Sequence, residues 1–556
     1  MPQRISTQPM SDFQGGLNLN ADPFQLGPNE TASCLNVDFD PLGGFARRDG
    51  TARLNSTALT STIKNMWGHY TPNGSTRQLI CQQGQSIAYS TNDGTAFTQV
   101  GTGSAPWSTA YTGTMQGASF RDPTSLGNVV CYITRGGTAV PIRWNGSTGT
   151  ALTDPSVTPS WSETIGTRTN GRMPKAEFIL THRDFVWVAN TYETSGGSEK
   201  NHPNRVRWSH EGFPEDWRSS DYIDIESGAG DSITGIASWR DGLLVFKSNS
   251  VFLIRGYDAD TFEVVNLSRS IGAVSQQAIA VTEAGVYFFS WPEGVYFYDG
   301  TGIHDVFQPM RPIVEDGTVD RTQRATITMG WLKQRLWVSL PCDVGITGNT
   351  DVYVLDPALR SRNKQGGWTH YQFGDVSLGA GLGVMLDYAP PATDPKWLTC
   401  SYSQGRTKII ALHQTGDTDN LTGTGEPILT EYTTPWVDVG NPAVVKSWRR
   451  PVFVYRKDED YQLTCTTYRD YDNTNVGGTF YLNSTTNSGT ALVWDVGKWD
   501  EKQWALGVGL PQGITRGSRL GRATAVALKI VGPTTTTVKW GVNSITWKYI
   551  PKRVRS

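Results

Sequence analysis

Nowhere does the sequence run to 18 consecutive apolar residues, so no segment has the length of a bilayer-spanning helix. The first ten residues, "MPQRISTQPM", lack the apolar stretch of a secretory signal. The chain is therefore expected to be made in the cytosol and to remain soluble, with no stable membrane insertion. Cysteine is sparse and scattered: Cys34, Cys81, Cys131, Cys342, Cys400 and Cys465 form no C-x-x-C pair and have no histidine at metal-ligand spacing. They are expected to be reduced core residues.

Chemistry-bearing motifs are equally scarce. The seven histidines fall in no H-E-x-x-H or H-x-H arrangement, which excludes the common zinc sites. No G-x-S-x-G elbow and no phosphate-binding loop occurs, and the glycines of "GAGLGVM" (379–385) are followed by no helical pattern. No cofactor, no metal and no catalytic residue is expected. Helical periodicity is nearly absent and only 18% of residues are charged.

What the sequence has instead is glycine and aromatics: 60 Gly, 20 Trp, 21 Tyr and 19 Phe in 556 residues. Short apolar or alternating runs recur, each closed by a tight polar turn, as in "DGLLVFKSNSVFLIRGY" (241–257) and "AGVYFFSWPEGVYFYDGTG" (284–302). The units return every 40 to 55 residues or so, the period of a four-stranded propeller blade. The fold class expected is all-β: a β-propeller of six or seven blades over residues 59–416, after an N-terminal segment 1–58. A string of sandwich domains is the competing architecture.

One turn sharpens the blade reading. "STNDGTAF" is close to an Asp box, with Ser90, Asn92, Asp93, Gly94 and Phe97 in the pattern's positions. Such a box is a hairpin device: a side-chain acceptor holds the turn's amides, glycine supplies a positive φ, and the aromatic plugs the blade. It has no catalytic meaning.

After a polar linker, 417–429, residues 430–556 alternate cleanly and are expected to form an antiparallel β-sandwich. The charge divides at the same place. From residue 427 there are 17 Lys and Arg against 10 Asp and Glu, although the whole chain carries −2. Two basic clusters, Lys446, Arg449, Arg450 and Lys552, Arg553, Arg555, are candidates for docking or phosphate contact, or for strand-edge protection. Short helices are expected near "GPNETASCL", capped by Asn29, and near "PMRPIVED". The acidic stretches 221–231, 257–263 and 456–462 offer carboxylates for a glycosidase pair, and Asp258 with Asp260 offers oxygens for calcium. The aromatics that a sugar site needs lie inside strand runs, where core packing accounts for them.

Three regions resemble the nozzle (tail tubular protein B-like) proteins of short-tailed bacteriophages. They are "DFQGGLNLNADPFQLGPNETASCLNVDFDPLGGFARRDGT" (12–51), "LLVFKSNSVFLI" (243–254) with "EAGVYFFSWPEGVYFYDGTGI" (283–303), and "WVDVGNPAVVKSWRRPVF" (436–453) with 521–555. The resemblance implies a structural virion protein of the tail, assembled in the host cytoplasm as a homohexameric ring. Its implied partners are further copies of itself, adaptor or portal-side tail proteins and tail fibres or spikes. DNA would pass through the ring without sequence recognition, retained first and released during genome ejection. The alternative reading is a propeller-based tail protein that binds or hydrolyses glycans.

Overall fold

A small sheet that stacks between two others buries both its faces, and the apolar runs of the central chain behave accordingly: Gly242–Lys247 and Asp351–Asp356 are buried at every position. The computed structural model of the chain describes residues 5–71, 77–101, 106–108, 111–122, 128–137, 139–152, 173–195, 198–218, 220–226, 228, 230–359, 366–374, 379–390, 394–402, 405–414, 418–421, 425–456, 461–484, 512–533 and 538–551. Seven antiparallel blades follow one another along the chain, opening with the strands Ile63–Tyr70, Gln116–Arg121, Lys175–His182, Ile233–Trp239, Ile279–Val281, Thr328–Leu332 and Leu382–Tyr388. Each opening strand touches that of the next blade, and the seventh touches the first, so the ring closes. The protein is a seven-bladed β-propeller.

Separate apolar clusters fill the gaps between neighbouring blades. Between blades 1 and 2, Trp67, Ile80 and Ile87 meet Cys131, Ile142 and Trp144. Between blades 6 and 7, Trp337 and Val354 meet Leu382 and Ile410. Between blades 7 and 1, Leu398 and Ile409 meet Met66 and Leu79.

The closure is made by chain ends far apart in sequence. Blade 7 takes Leu382–Tyr388, Lys396–Ser401 and Ile409–Gln414 from one side of the chain and its outer strand, Gly50–Arg53, from the N-terminal side. Gly50–Arg53 is itself covered by Thr418–Asn420, which runs parallel to it, and that strand by Glu426–Pro427. The stretch expected as a linker, 417–429, thus contributes two strands to blade 7.

Beyond the propeller the burial pattern changes to alternation, as in Tyr461–Arg469 and Val452–Arg456, because here each sheet buries one face. Two antiparallel sheets form. The larger is built on Gly541–Pro551, the smaller on Val526–Val531 between Glu431–Thr433 and Tyr461–Arg469. Residues 5–47 do not stand apart from this unit. Ser6–Met10 pairs with Gly541–Pro551 from Ser6↔Tyr549 to Met10↔Ile545, Phe45–Arg47 pairs with the same strand, and Ser33–Leu35 pairs with Glu431–Thr433. Phe13, Phe45, Tyr432, Trp540 and Trp547 share one core with Phe289, Phe307 and Trp368 of blades 5 and 6. The apolar interior therefore runs without a break from the propeller into the two-sheet unit.

The helix expected near "GPNETASCL" does not form: Glu30–Thr31 and Ser33–Leu35 are strands, and Asn29 caps nothing. Thr31 explains the difference, since its hydroxyl donates to the carbonyls of Ser33 and Thr433 and fastens the segment to the smaller sheet. Near "PMRPIVED" a 3-10 turn, Gln308–Met310, leads into a one-turn α-helix, Pro312–Glu315.

The outer strand of blade 7 has a definite expected sensitivity. Ala52 lies opposite Ala411, two residues from the Leu54 amide that donates to the Ile409 carbonyl at 2.9 Å, so its own amide faces the same strand. Ala52→Pro removes that donor in a strand paired on both sides and is expected to cost about 2 kcal/mol or more. Urea denaturation measures this, and an unchanged midpoint contradicts the closure.

Candidate functional site

The opening segment supplies two heavily bonded residues, Asn36 and Arg48, and they lie where the propeller meets the two-sheet unit. Arg48 follows the strand Phe45–Arg47 and precedes Gly50–Arg53, so it sits on the only step of chain joining those two strands; its side chain is 2% exposed. Its Nε donates to Asn36 Oδ1 at 2.8 Å, Nη1 to Asp419 Oδ1 at 2.9 Å and to the Asp49 carbonyl at 3.0 Å, and Nη2 to the Gln372 carbonyl at 3.1 Å and to Asp419 Oδ2. The guanidinium also lies 4.1 Å from the centre of the Phe373 ring. A buried charge left unpaired is expensive, and here the fork meets a carboxylate two-toothed while its other donors find carbonyls and an amide.

Asn36 completes the knot. It takes φ 54°, a conformation that asparagine tolerates better than most residues, and it bonds through both backbone and side chain, its carbonyl accepting from the Arg48 amide at 3.1 Å. Its amide donates to the His370 carbonyl at 2.8 Å, Nδ2 donates to the Leu429 carbonyl at 2.7 Å, and Oδ1 accepts from the Gln372 amide at 3.0 Å as well as from Arg48. Residues 36, 48, 370–372, 419 and 429 are thereby drawn to one point. Around it, Asp38 accepts from Arg335 at 2.9 Å and from the Tyr371 hydroxyl, while Asp49 meets Lys539 at 3.0 Å and Lys333 at 3.2 Å. A hydrogen bond from His413, helped by the two lysines, holds the Asp49 carboxyl far below the usual range despite burial.

Two glycines of the same segment are required by space. At Gly16 (φ 67°) a Cβ would stand 2.7 Å from the Trp368 carbonyl oxygen, and at Gly43 (φ 96°) 2.3 Å from that of Ser11.

The turn that resembles an Asp box lies between the third and fourth strands of blade 1, Ser86–Ser90 and Thr98–Gln99. The Ser90 hydroxyl donates to Asn92 Oδ1 at 2.7 Å and accepts from the Gly94 amide at 2.9 Å, and Asn92 Oδ1 accepts from the Ala96 amide at 3.0 Å. Gly94 takes φ 93°, Asp93 faces Arg77 and Lys396 at 3.6 Å each, and Phe97 packs on the cluster between blades 7 and 1.

The basic cluster is not assembled as a phosphate site. Lys446 is 2% exposed, with its ammonium donated to the carbonyls of Thr524 (2.9 Å) and Asn441, and burial lowers its pKa. Arg449 is half-buried and Arg450 exposed, whereas Lys552, Arg553 and Arg555 lie outside the described residues. Lys446 is a buried brace because the alternation of Lys446–Trp448 breaks and all three residues face inward. Asp258, a candidate calcium ligand, instead closes its own turn by accepting from the Thr261 amide at 3.0 Å. Among the described residues no group of three His, Cys, Asp or Glu side chains is placed to hold a metal.

Around the propeller axis, against the blades' opening strands, lie two cavities of 350 and 210 Å³, small-molecule dimensions. Gln277 of blade 5 crosses this space to donate to the Lys64 carbonyl of blade 1. Among the described residues, Glu177 is the one ionisable side chain lining either cavity. Its Oε1 accepts from the Tyr192 hydroxyl at 3.1 Å, and burial raises its pKa. The residues at these cavities were not singled out by sequence, since isolated Glu, Asn and Gln in strands carry no spacing signal.

No family model matches this chain, and no curated protein matches it significantly. Among solved structures it is similar to BBS1N in complex with ARL6DN (11% identity, TM-score 0.39, 66% of this chain and 97% of that one). It is also similar to YCF48 bound to D1 peptide (9%, 0.38, 69% and 98%) and to YCF48 from Cyanidioschyzon merolae (8%, 0.35, 66% and 99%). Scores this low carry no functional argument, and the propeller assignment rests on the blades and their closure.

Arg48→Ala would leave Asp419 buried without its cation and is expected to cost about 3 to 5 kcal/mol in chemical denaturation. A loss under about 1 kcal/mol contradicts the role given to the joint. A pH dependence follows from blade 3, where Arg207 grips Glu193 at 2.7 and 2.8 Å and Arg205 adds a contact at 3.1 Å. Burial alone would raise the Glu193 pKa, but these arginines and Thr191 outweigh it and bring it down from 4.5 to about 2. A carboxyl with a depressed folded-state pKa stabilises above its unfolded value, and the contribution vanishes as pH falls through the folded one. The amount is roughly 3 kcal/mol. Stability curves of the wild type and Glu193→Gln should thus lie apart at neutral pH and converge by about pH 2; curves that stay parallel contradict the network.

Proposed function

We propose that this chain is a structural virion protein, a nozzle-type subunit whose copies close into a ring that forms the distal wall of a short-tailed phage's DNA conduit. The observation that carries the reading is where the nozzle-like segments fall. The described residues of the terminal ones, 12–51 and 436–453 with 521–533 and 538–551, meet in one two-sheet unit and its joint with the propeller, and they do so through buried braces such as Asn36, Arg48 and Lys446. The sequence features shared with nozzles are thus devices for fixing shape, which is what a wall needs.

Ring closure asks for stiff subunits, because a rotation repeated six times multiplies any angular error. A continuous core between propeller and two-sheet unit supplies that stiffness. The passage for DNA lies between copies, since each subunit's own axis is bridged by Gln277. The acidic residues before 427 would face the lumen, repelling phosphates so that DNA slides, and the basic C-terminal part would meet an acidic adaptor. The glycan-hydrolysing alternative needs two facing carboxylates, and the described lining of the axial cavities offers Glu177 alone.

Electron microscopy of the purified chain at tail-assembly concentrations tests the reading. Closed rings of about six copies, with the same density at the distal end of phage particles, are expected. A persistent monomer, or cleavage of a polysaccharide by the pure chain, contradicts it.

A further inference from the structure

We propose that the two axial cavities together form a binding site for a linear organic cation with primary ammonium groups, of the polyamine class. The cavities share Gln116, Gln276 and Gln277 in their linings, one lying toward blades 3 and 4 and the other toward blades 7 and 1, so together they make one elongated space. A chain fits such a space better than a compact ring does.

The chemistry of the walls selects the charge. At one end is Glu177, whose recorded partner is a neutral tyrosine hydroxyl and beside which no lysine or arginine lines the cavity. Lys64, nearby on the wall of blade 1, is turned to the Thr112 carbonyl and is not among the lining residues. Two further oxygens of lining residues, Asn190 Oδ1 and Ser275 Oγ, are buried without a hydrogen-bond partner. Asn190 is held there at φ 56°, where the pairing of blade 3 slips between Ala189↔Val206 and Thr191↔His202. A half-buried carboxylate and unpartnered buried acceptors call for N–H donors carrying positive charge.

Other ligand classes fit less well. An anion finds no cation among the lining residues. A sugar needs donors as well as acceptors, but the amide of Gln276 is spent on the Ile236 backbone (2.8 and 2.9 Å) and that of Gln277 on the Lys64 carbonyl. A divalent metal needs several oxygens from charged groups, and one carboxylate is present. In the far cavity Met66, Met329, Met385 and Trp67 alternate with Asn65, Thr328 and the shared glutamines, a wall with polar groups for a second ammonium and apolar contacts for the methylenes between.

Isothermal titration calorimetry on the intact chain with spermidine, at fixed ionic strength, tests this. Saturable binding of one spermidine per chain is expected, weakened at least about tenfold in Glu177→Gln, an isosteric change that keeps an acceptor for Tyr192. In the wild type alone, spermidine should bind at least about tenfold more tightly than ethylamine, which reaches only one cavity, and this comparison stands even where the variant fails to fold. Absence of saturable binding, equal affinity for spermidine and ethylamine, undiminished binding by a folded Glu177→Gln, or preferential binding of sucrose each overturns the proposal.

Discussion

A single buried guanidinium organises this molecule. Arg48 stands at the step between the strand that completes the two-sheet unit and the strand that completes the propeller, and it is bonded to Asn36, Asp419 and Gln372. Taking an arginine out of water costs several kcal/mol, offset only when every donor finds an acceptor and the carboxylate faces it squarely. That condition holds only if residues 36, 372 and 419, far apart in sequence, arrive together. The ion pair therefore specifies an arrangement: a displaced propeller or a slipped N-terminal strand would leave Asp419 and Arg48 buried and unpaired.

The constraint explains why asparagine and aspartate are concentrated in the opening forty residues. That segment crosses from the larger sheet to the smaller, passes Trp368 at the space of a missing Cβ, and returns to the propeller. The apolar core follows the same route, from blades 5 and 6 into the two sheets, so packing and polar bonding reinforce one another.

Much of the propeller was legible because period and turn chemistry are local. Blade-length repeats, the "KSNS" and "WPEG" turns and the Ser90 to Phe97 turn each follow from neighbouring residues. Blade number was ambiguous between six and seven for a physical reason: the seventh sheet takes its outer strand from Gly50–Arg53, more than 350 residues from its partner, and no local pattern records that pairing. For the same reason "GPNETASCL" reads as a capped helix although Thr31 binds it to residue 433. The buried Lys446 looks in sequence like part of an exposed basic patch, since charge alone does not say which way a side chain faces. Glu177 and Asn190 become a pair of interest only when separate strands bring them to one cavity.

The claim that propeller and two-sheet unit form one cooperative body is tested most directly by differential scanning calorimetry of the intact chain. One transition, with calorimetric and van't Hoff enthalpies in agreement, is predicted. Two resolved transitions, or a calorimetric enthalpy well above the van't Hoff value, would contradict it and leave the Arg48 joint as a contact between independently folding parts.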